Sequence, residues 1–263
     1  MKQFASFLGA FSYEFRMQIR RPALWITMTI IIILILASTG RSTFLVSYAQ
    51  HVNKQSAASA LVVWMDFLSI LLPIGIGLMM ADRLYRDRKT QVEELFTSLP
   101  NALSSRLLGK YLGGLGAAAL PLFTIYMLGV LYILFQTSDW LVLPQAVAVF
   151  ALVSLPGLLF ISAFSLACPR VIWVPLYQFL FVGYWFWGNL LHNPQIPSLS
   201  YTLLTPIGDN LSRAFFPGRD QLFISSNPTP LVNGFISLGL LVGLAALVLI
   251  VLVALMKWQQ AQQ

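Results

Sequence analysis

Six stretches of this chain contain no Asp, Glu, Lys or Arg: residues 22–40, 67–81, 111–138, 140–169, 171–208 and 221–256. A helix of roughly 20 mostly apolar residues crosses the hydrocarbon core of a bilayer, and five of these windows are about that long or longer. Only 10% of the 263 residues are charged, where soluble domains carry about a quarter. The bilayer is therefore the expected solvent. Trimming each window at its Pro, Asn and Ser clusters predicts six helical spans, at approximately 23–38, 60–81, 111–135, 143–167, 171–191 and 233–256. The second span is extended past Asp66 because the run "LVVWMDFLSILLPIGIGLMMA" is otherwise apolar. No period-2 alternation supports a β-barrel. The expected fold is an all-α integral membrane domain covering residues 1–263.

Charge distribution orients the spans. With the N-terminus inside, the cytoplasmic side holds twelve Lys and Arg residues and the outer side holds four, Arg41, Lys54, Arg213 and Arg219. The positive-inside rule then puts both termini in the cytoplasm. It also accounts for the net charge of +7 without any nucleic-acid partner. Cys168 is the single cysteine, and His51 and His192 fall in different predicted loops. Disulfides, metal sites and His-dependent catalysis have little material here, and none is expected.

Ahead of the first span, Phe4, Phe7, Leu8, Phe11, Phe15 and Ile19 recur at spacings of three and four, with Glu14, Arg16 and Arg20 largely off that face. This pattern predicts a helix lying in the headgroup layer. A secretory signal is the competing reading, but a charged segment this long and amphipathic does not suit one. In the second span, Pro73, Gly75 and Gly77 weaken the helix near mid-membrane, as a packing kink or a substrate site. Gly109, Gly113, Gly116 and Ala117 form a small-residue face for close helix packing. Asp66 is the one ionisable side chain expected within a span, near its outer end beside Trp64. Intramembrane carboxylates are functional candidates by default.

Residues 82–100, "DRLYRDRKTQVEELFTSLP", hold eight charged side chains. Within them Val92, Leu95, Phe96 and Leu99 stand at i, i+3, i+4 and i+7, which predicts a short amphipathic cytoplasmic helix ended by Pro100. Asp82 with Arg86 and Lys89 with Glu93 are four apart and suited to same-helix pairing. Alone, such a run reads as a solvated loop. A second apolar stripe outside the membrane, at Phe4 to Ile19 on the same side, favours a docking role. Two other chemistries fail on their motifs. "SSRLLGKY" has Ser104 where a phosphate-binding loop needs its first Gly and Tyr111 where it needs the Mg²⁺-holding hydroxyl. "EELFTS" has Ser98 where an EExxxR intramembrane protease has Arg.

Taken together, "YEFRMQIRRPALW", six spans, and "ADRLYRDRKTQVEELFTSLPNALSSRLLGKYLGG" between spans two and three resemble the permease subunits of ATP-binding-cassette type-2 exporters. The resemblance covers essentially the whole chain and is most specific over residues 81–114. It implies an elbow helix at Phe4, Phe7, Leu8, Phe11, Glu14, Phe15 and Ile19. It also implies a coupling helix that docks on a separate ATPase, with Val92, Leu95, Phe96 and Leu99 as its apolar plug and Arg86, Arg88, Glu93 and Glu94 as its polar rim. Glu14 would pair with Arg83 or Arg86.

Further implications are two ATPase copies that carry the ATP and Mg²⁺, a second permease chain, and a short re-entrant segment between spans five and six. The setting would be the cytoplasmic membrane of a prokaryote. This chain would be no enzyme and bind no cofactor of its own. Export of a lipid-like or amphipathic substrate would follow if the aromatics of "VIWVPLYQFLFVGYWFWGNLL" line an apolar path; packing is the other reading of them. A membrane scaffold that uses ATPase motion for envelope remodelling or cargo hand-over is the alternative function. A secondary transporter would need matched helix breaks in two halves, and Pro73 and Pro156 do not correspond.

Overall fold

The computed structural model describes residues 2–38, 57–89, 103–190, 197–200, 202–216 and 229–262, and these contain helices and connecting turns but no strand. Helix α1 (Lys2–Ile19) leads through a turn at Arg20 and Arg21 into α2 (Pro22–Ser38). Pro22 opens α2, where its missing N–H costs nothing, and Trp25 donates its indole N–H back to the Ile19 carbonyl at 3.0 Å. Then follow α3 (Ala57–Ala81), α4 (Arg83–Lys89) and α5 (Leu103–Thr137). Next come α6 (Val142–Val149), a π-helical turn (Phe150–Ser154), α7 (Leu155–Ala167) and a 3₁₀ turn (Cys168–Arg170), followed by α8 (Val174–Leu190), α9 (Asp209–Phe215) and α10 (Leu231–Ala261).

Four continuous helical stretches are long and apolar enough to cross a membrane: Ala57–Arg86, Leu103–Thr137, Val142–Arg170 and Leu231–Gln259. The molecule therefore has transmembrane helical character. Helices α2 and α8 occupy the other two expected spans but have 17 residues each, about 26 Å at 1.5 Å per residue.

Helices α3 and α5 run in opposite directions: Met80 of α3 lies against Gly114 of α5, while Trp64 lies against Gly129. At one end of the bundle Glu14 of α1 meets Arg83 of α4, and Arg170 donates to the Gln259 side chain of α10 at 2.8 and 3.1 Å. Both described termini thus lie at that end. The principal core runs along α3 and α5 and takes in Leu24, Met28, Leu68, Leu122, Tyr126 and Val149.

Pro73 does not interrupt α3, which stays helical to Ala81. Proline removes the donor to the carbonyl four residues back and loosens that turn. Within the same turn the Ile70 carbonyl accepts the Trp185 indole N–H at 2.6 Å, so a neighbouring helix supports the weakened backbone. The sequence expectation of a weak point is met by a cross-helix bond.

At 35 residues, α5 is about 52 Å long and exceeds the roughly 30 Å hydrocarbon core. It begins eight residues before the predicted 111 because its first turns have a partner, α1.

Candidate functional site

The seat of α1 is built by glycine spacing on α5. A Cβ added at Gly109 would stand 2.7 Å from the Phe7 carbonyl oxygen, and one at Gly113 would stand 2.6 Å from that of Phe11. Only glycine lets the two backbones approach this closely. Glu14 and Gln18 lie on the same side of α1: the Glu14 Cβ is 3.0 Å and the Gln18 amide 2.9 Å from added Cβ atoms at Gly113 and Gly114. The side of α1 that meets protein is therefore defined by Ala10, Glu14 and Gln18. The aromatic stripe takes the flank, with Phe4, Phe7, Phe11 and Phe15 ring-stacked in series at 6.5, 6.3 and 5.9 Å. Phe4 and Leu8 are exposed, as suits contact with lipid, while Ile19 is half-buried.

Glu14 makes the ion pair expected of it, and makes it in a buried setting. It stands off the apolar face, its side chain is only 3% exposed, and its carboxylate is 2.7 Å from the Arg83 guanidinium, itself 5% exposed. Of the two arginines expected as partners, Arg83 makes the contact. Arg86 instead pairs with Asp82 on its own helical turn at 2.5 Å and is half exposed. Arg83 is the first residue of α4, the helix that leads into the predicted coupling segment. A buried ion pair therefore joins α1 to that lead.

Arg88 lies in α4, where its backbone alone is described. Val92, Glu93, Glu94, Leu95, Phe96 and Leu99 lie outside the described residues, as do His51, His192 and the predicted Lys89–Glu93 pair through Glu93.

At the opposite end, the segment between the fifth and sixth expected spans folds inward. Ser200, Thr205, Asp209, Asn210 and Ser212 are all buried. Gly208 precedes α9 with φ of 92°, and a Cβ there would fall 2.5 Å from the Val153 carbonyl oxygen. Gly157 would place one 1.9 Å from the Pro206 carbonyl oxygen. The loop thus lies directly on the π-helical turn and on α7. Ser237 of α10 donates to the Leu203 carbonyl at 2.6 Å, which fixes the loop to a third helix. Arg213 is held by Asp209 and by the Asn210 side-chain oxygen.

Asp66 is buried on α3 below this segment, within electrostatic reach of Asp209 and Arg213. On α8, Tyr177, Phe181 and Trp185 are buried while Phe179 and Trp187 are exposed. The inward aromatics pack on α3, where the Phe181 ring covers Gly77. Among the described residues no cluster of His, Cys, Asp and Glu could hold a metal ion. Compared with known proteins, the chain matches no family model and no curated sequence.

Proposed function

We propose that this chain is the membrane-spanning permease subunit of an ATP-driven exporter, with ATP and Mg²⁺ bound by a separate ATPase present in two copies. One observation carries the reading: the buried Glu14–Arg83 pair, 2.7 Å long, mechanically joins an amphipathic N-terminal helix to the lead of the segment that holds Val92, Leu95, Phe96 and Leu99. A surface segment whose only role was to connect two spans would gain nothing from a desolvated ion pair, since such pairs add little net stability. A segment that must transmit displacement needs a stiff anchor.

In this reading α2 and α8 complete six spans, their shortness met by local thinning of the bilayer. Both termini face the cytoplasm, in accord with the twelve-to-four distribution of Lys and Arg. Two copies of the chain form the transport path, and motion of the ATPases reaches the path through residues 83–99.

The test is affinity purification of the tagged chain with mass spectrometry of what accompanies it. An ATPase is the expected companion. Phe96→Asp should leave membrane insertion intact and abolish that association, because a charge would enter an apolar groove. Recovery of the wild-type chain with no ATPase would overturn the reading.

A further inference from the structure

Helices α3 and α8 meet in a regular antiparallel seam. Phe181 covers Gly77, the Gln178 amide donates to the Leu78 carbonyl at 3.3 Å, and the Trp185 indole donates to the Ile70 carbonyl at 2.6 Å. One helical turn outward from that last bond, on the same two faces, stand Asp66 and Asn189. Ser69 is three residues from Asp66 and shares its face. These three are buried, with 8%, 1% and 2% of their surface exposed for Asp66, Asn189 and Ser69. Asp66 Oδ1, Asn189 Oδ1 and Ser69 Oγ have no hydrogen-bond partner among the described residues.

Such atoms are rare, because a polar group that is desolvated and left unbonded is costly. Three within one helical turn of one seam call for a common cause.

Their chemistry defines a ligand. A carboxylate oxygen and an amide oxygen only accept hydrogen bonds, and a serine hydroxyl can accept. Asn189 already uses its amide N–H toward the Trp185 carbonyl at 3.2 Å, which leaves its oxygen for another donor. The charged groups near Asp66 are Asp209 and Arg213, and Arg213 is engaged by Asp209 and Asn210. Two carboxylates therefore stand against one guanidinium. A cation with several N–H donors would satisfy all three oxygens and hold Asp66 in its ionised form. A metal ion fits less well, since no described group of acidic, His or Cys side chains could hold one.

We infer that the outer end of the α3–α8 seam, at Asp66, Ser69 and Asn189, binds a primary ammonium group, whose three N–H donors match the three unpartnered oxygens. An amphipathic amine would reach it from the outer half of the bilayer, on a free alkylamine or on an aminophospholipid headgroup. That this amine is the transported substrate rests on the exporter reading; that the site binds it does not.

The test uses the full chain in phosphatidylcholine nanodiscs, titrated with octylammonium and followed by tryptophan fluorescence, Trp185 being one turn below the site. Saturable binding is expected, weakened about tenfold or more by Asp66→Asn, as for a lost charge-assisted hydrogen bond. Ser69→Ala should weaken it by a smaller factor, and serves if the Asp66 variant fails to fold. Octyltrimethylammonium, which has no N–H, should bind far more weakly. Equal binding of the two cations, or binding unchanged in Asp66→Asn and Ser69→Ala, would overturn the inference.

A parallel arm with phosphatidylethanolamine in the nanodisc separates the sources: competition with octylammonium assigns the site to a lipid headgroup, and its absence to a free amine. ATPase co-purification does not involve Asp66. An ATPase partner without saturable amine binding would therefore remove the site alone, and amine binding without an ATPase would remove only the transport role.

Discussion

Substituting Glu14 by Gln keeps the shape of the elbow contact and removes only its charge. The Arg83 guanidinium, 5% exposed and 2.7 Å from the carboxylate, then stays desolvated without its counter-ion. Removing one partner of a buried pair costs about 3–5 kcal/mol. Both side chains have further interactions, which moves the expectation to the lower end, about 3 kcal/mol, or roughly two decades in the equilibrium between docked and detached elbow.

Hydrogen exchange of the α1 amides in nanodiscs reads that equilibrium directly, because local opening sets their protection. Arg83→Gln should act similarly. The double variant should lose about 2 kcal/mol less than the sum of the two singles. Arg86→Gln is the internal control: its pair with Asp82 is half exposed, so α1 protection should change by less than about 0.5 kcal/mol. Additive effects at positions 14 and 83, or single effects no larger than that of Arg86, would refute the claim that this pair anchors the elbow.

Two further outcomes test the packing. Gly113→Ala puts a Cβ 2.6 Å from the Phe11 carbonyl oxygen, so α1 must move away; a loss of about 1–3 kcal/mol is expected, seen as exchange confined to α1 and the first turns of α5. By contrast Gly9→Ala meets nothing within 4 Å and should stabilise α1 by up to about 1 kcal/mol. Trp185→Phe removes the 2.6 Å bond to the Ile70 carbonyl and should cost about 1–3 kcal/mol in a denaturation titration in mixed micelles. Because the bond supports a turn loosened by Pro73, Trp185→Phe should cost less in a Pro73→Ala background, and strict additivity would separate the two features.

The apolar helices were legible because membrane solvation imposes one long hydrophobic run per helix. The predicted 60–81 and 143–167 fall within α3 and within α6 to α7. Charge misled at α5: Arg106 and Lys110 closed the predicted span at 111, whereas the helix begins at Leu103 because α1 gives its protruding turns something to pack on.

The π-helical turn at Phe150–Ser154 left no periodic signal, since its extra residue accommodates a loop about fifty positions later, through Gly208 on Val153. The pairing of Glu14 with Arg83 was expected but its burial was not, for a related reason. Hydrophobic patterning ranks side chains by polarity and is blind to a charge buried because its partner is buried with it. Asn189 had one faint sign, an amide four residues beyond Trp185 in an aromatic run.

The side-chain bonds between elements fall into two groups. Helix α8 packs chiefly on α3 and is tied to it by Trp185 and Gln178. α3 in turn runs on through Asp82 into α4 with little interruption. The outer loop and α9 are instead clamped to the π turn, α7 and α10, by Gly208, Gly157 and Ser237. At the other end of the bundle, Arg170 joins the 3₁₀ turn after α7 to Gln259 of α10. In the proposed permease role, a displacement at residues 83–89 would enter α3, which packs on α8 and also on α5 and α7. The border between the two groups at the outer end is Asp66 and Asn189 on one side and Asp209 and Arg213 on the other. Relative motion there would change the spacing of two carboxylates and one guanidinium. Such a change alters the hold on a bound cation more than on a neutral molecule, because Coulomb energy varies steeply with separation where water is excluded. An ammonium bound at Asp66 would thus feel a push applied at the far end of α3, which gives the buried carboxylate a mechanical reason to stand at this border.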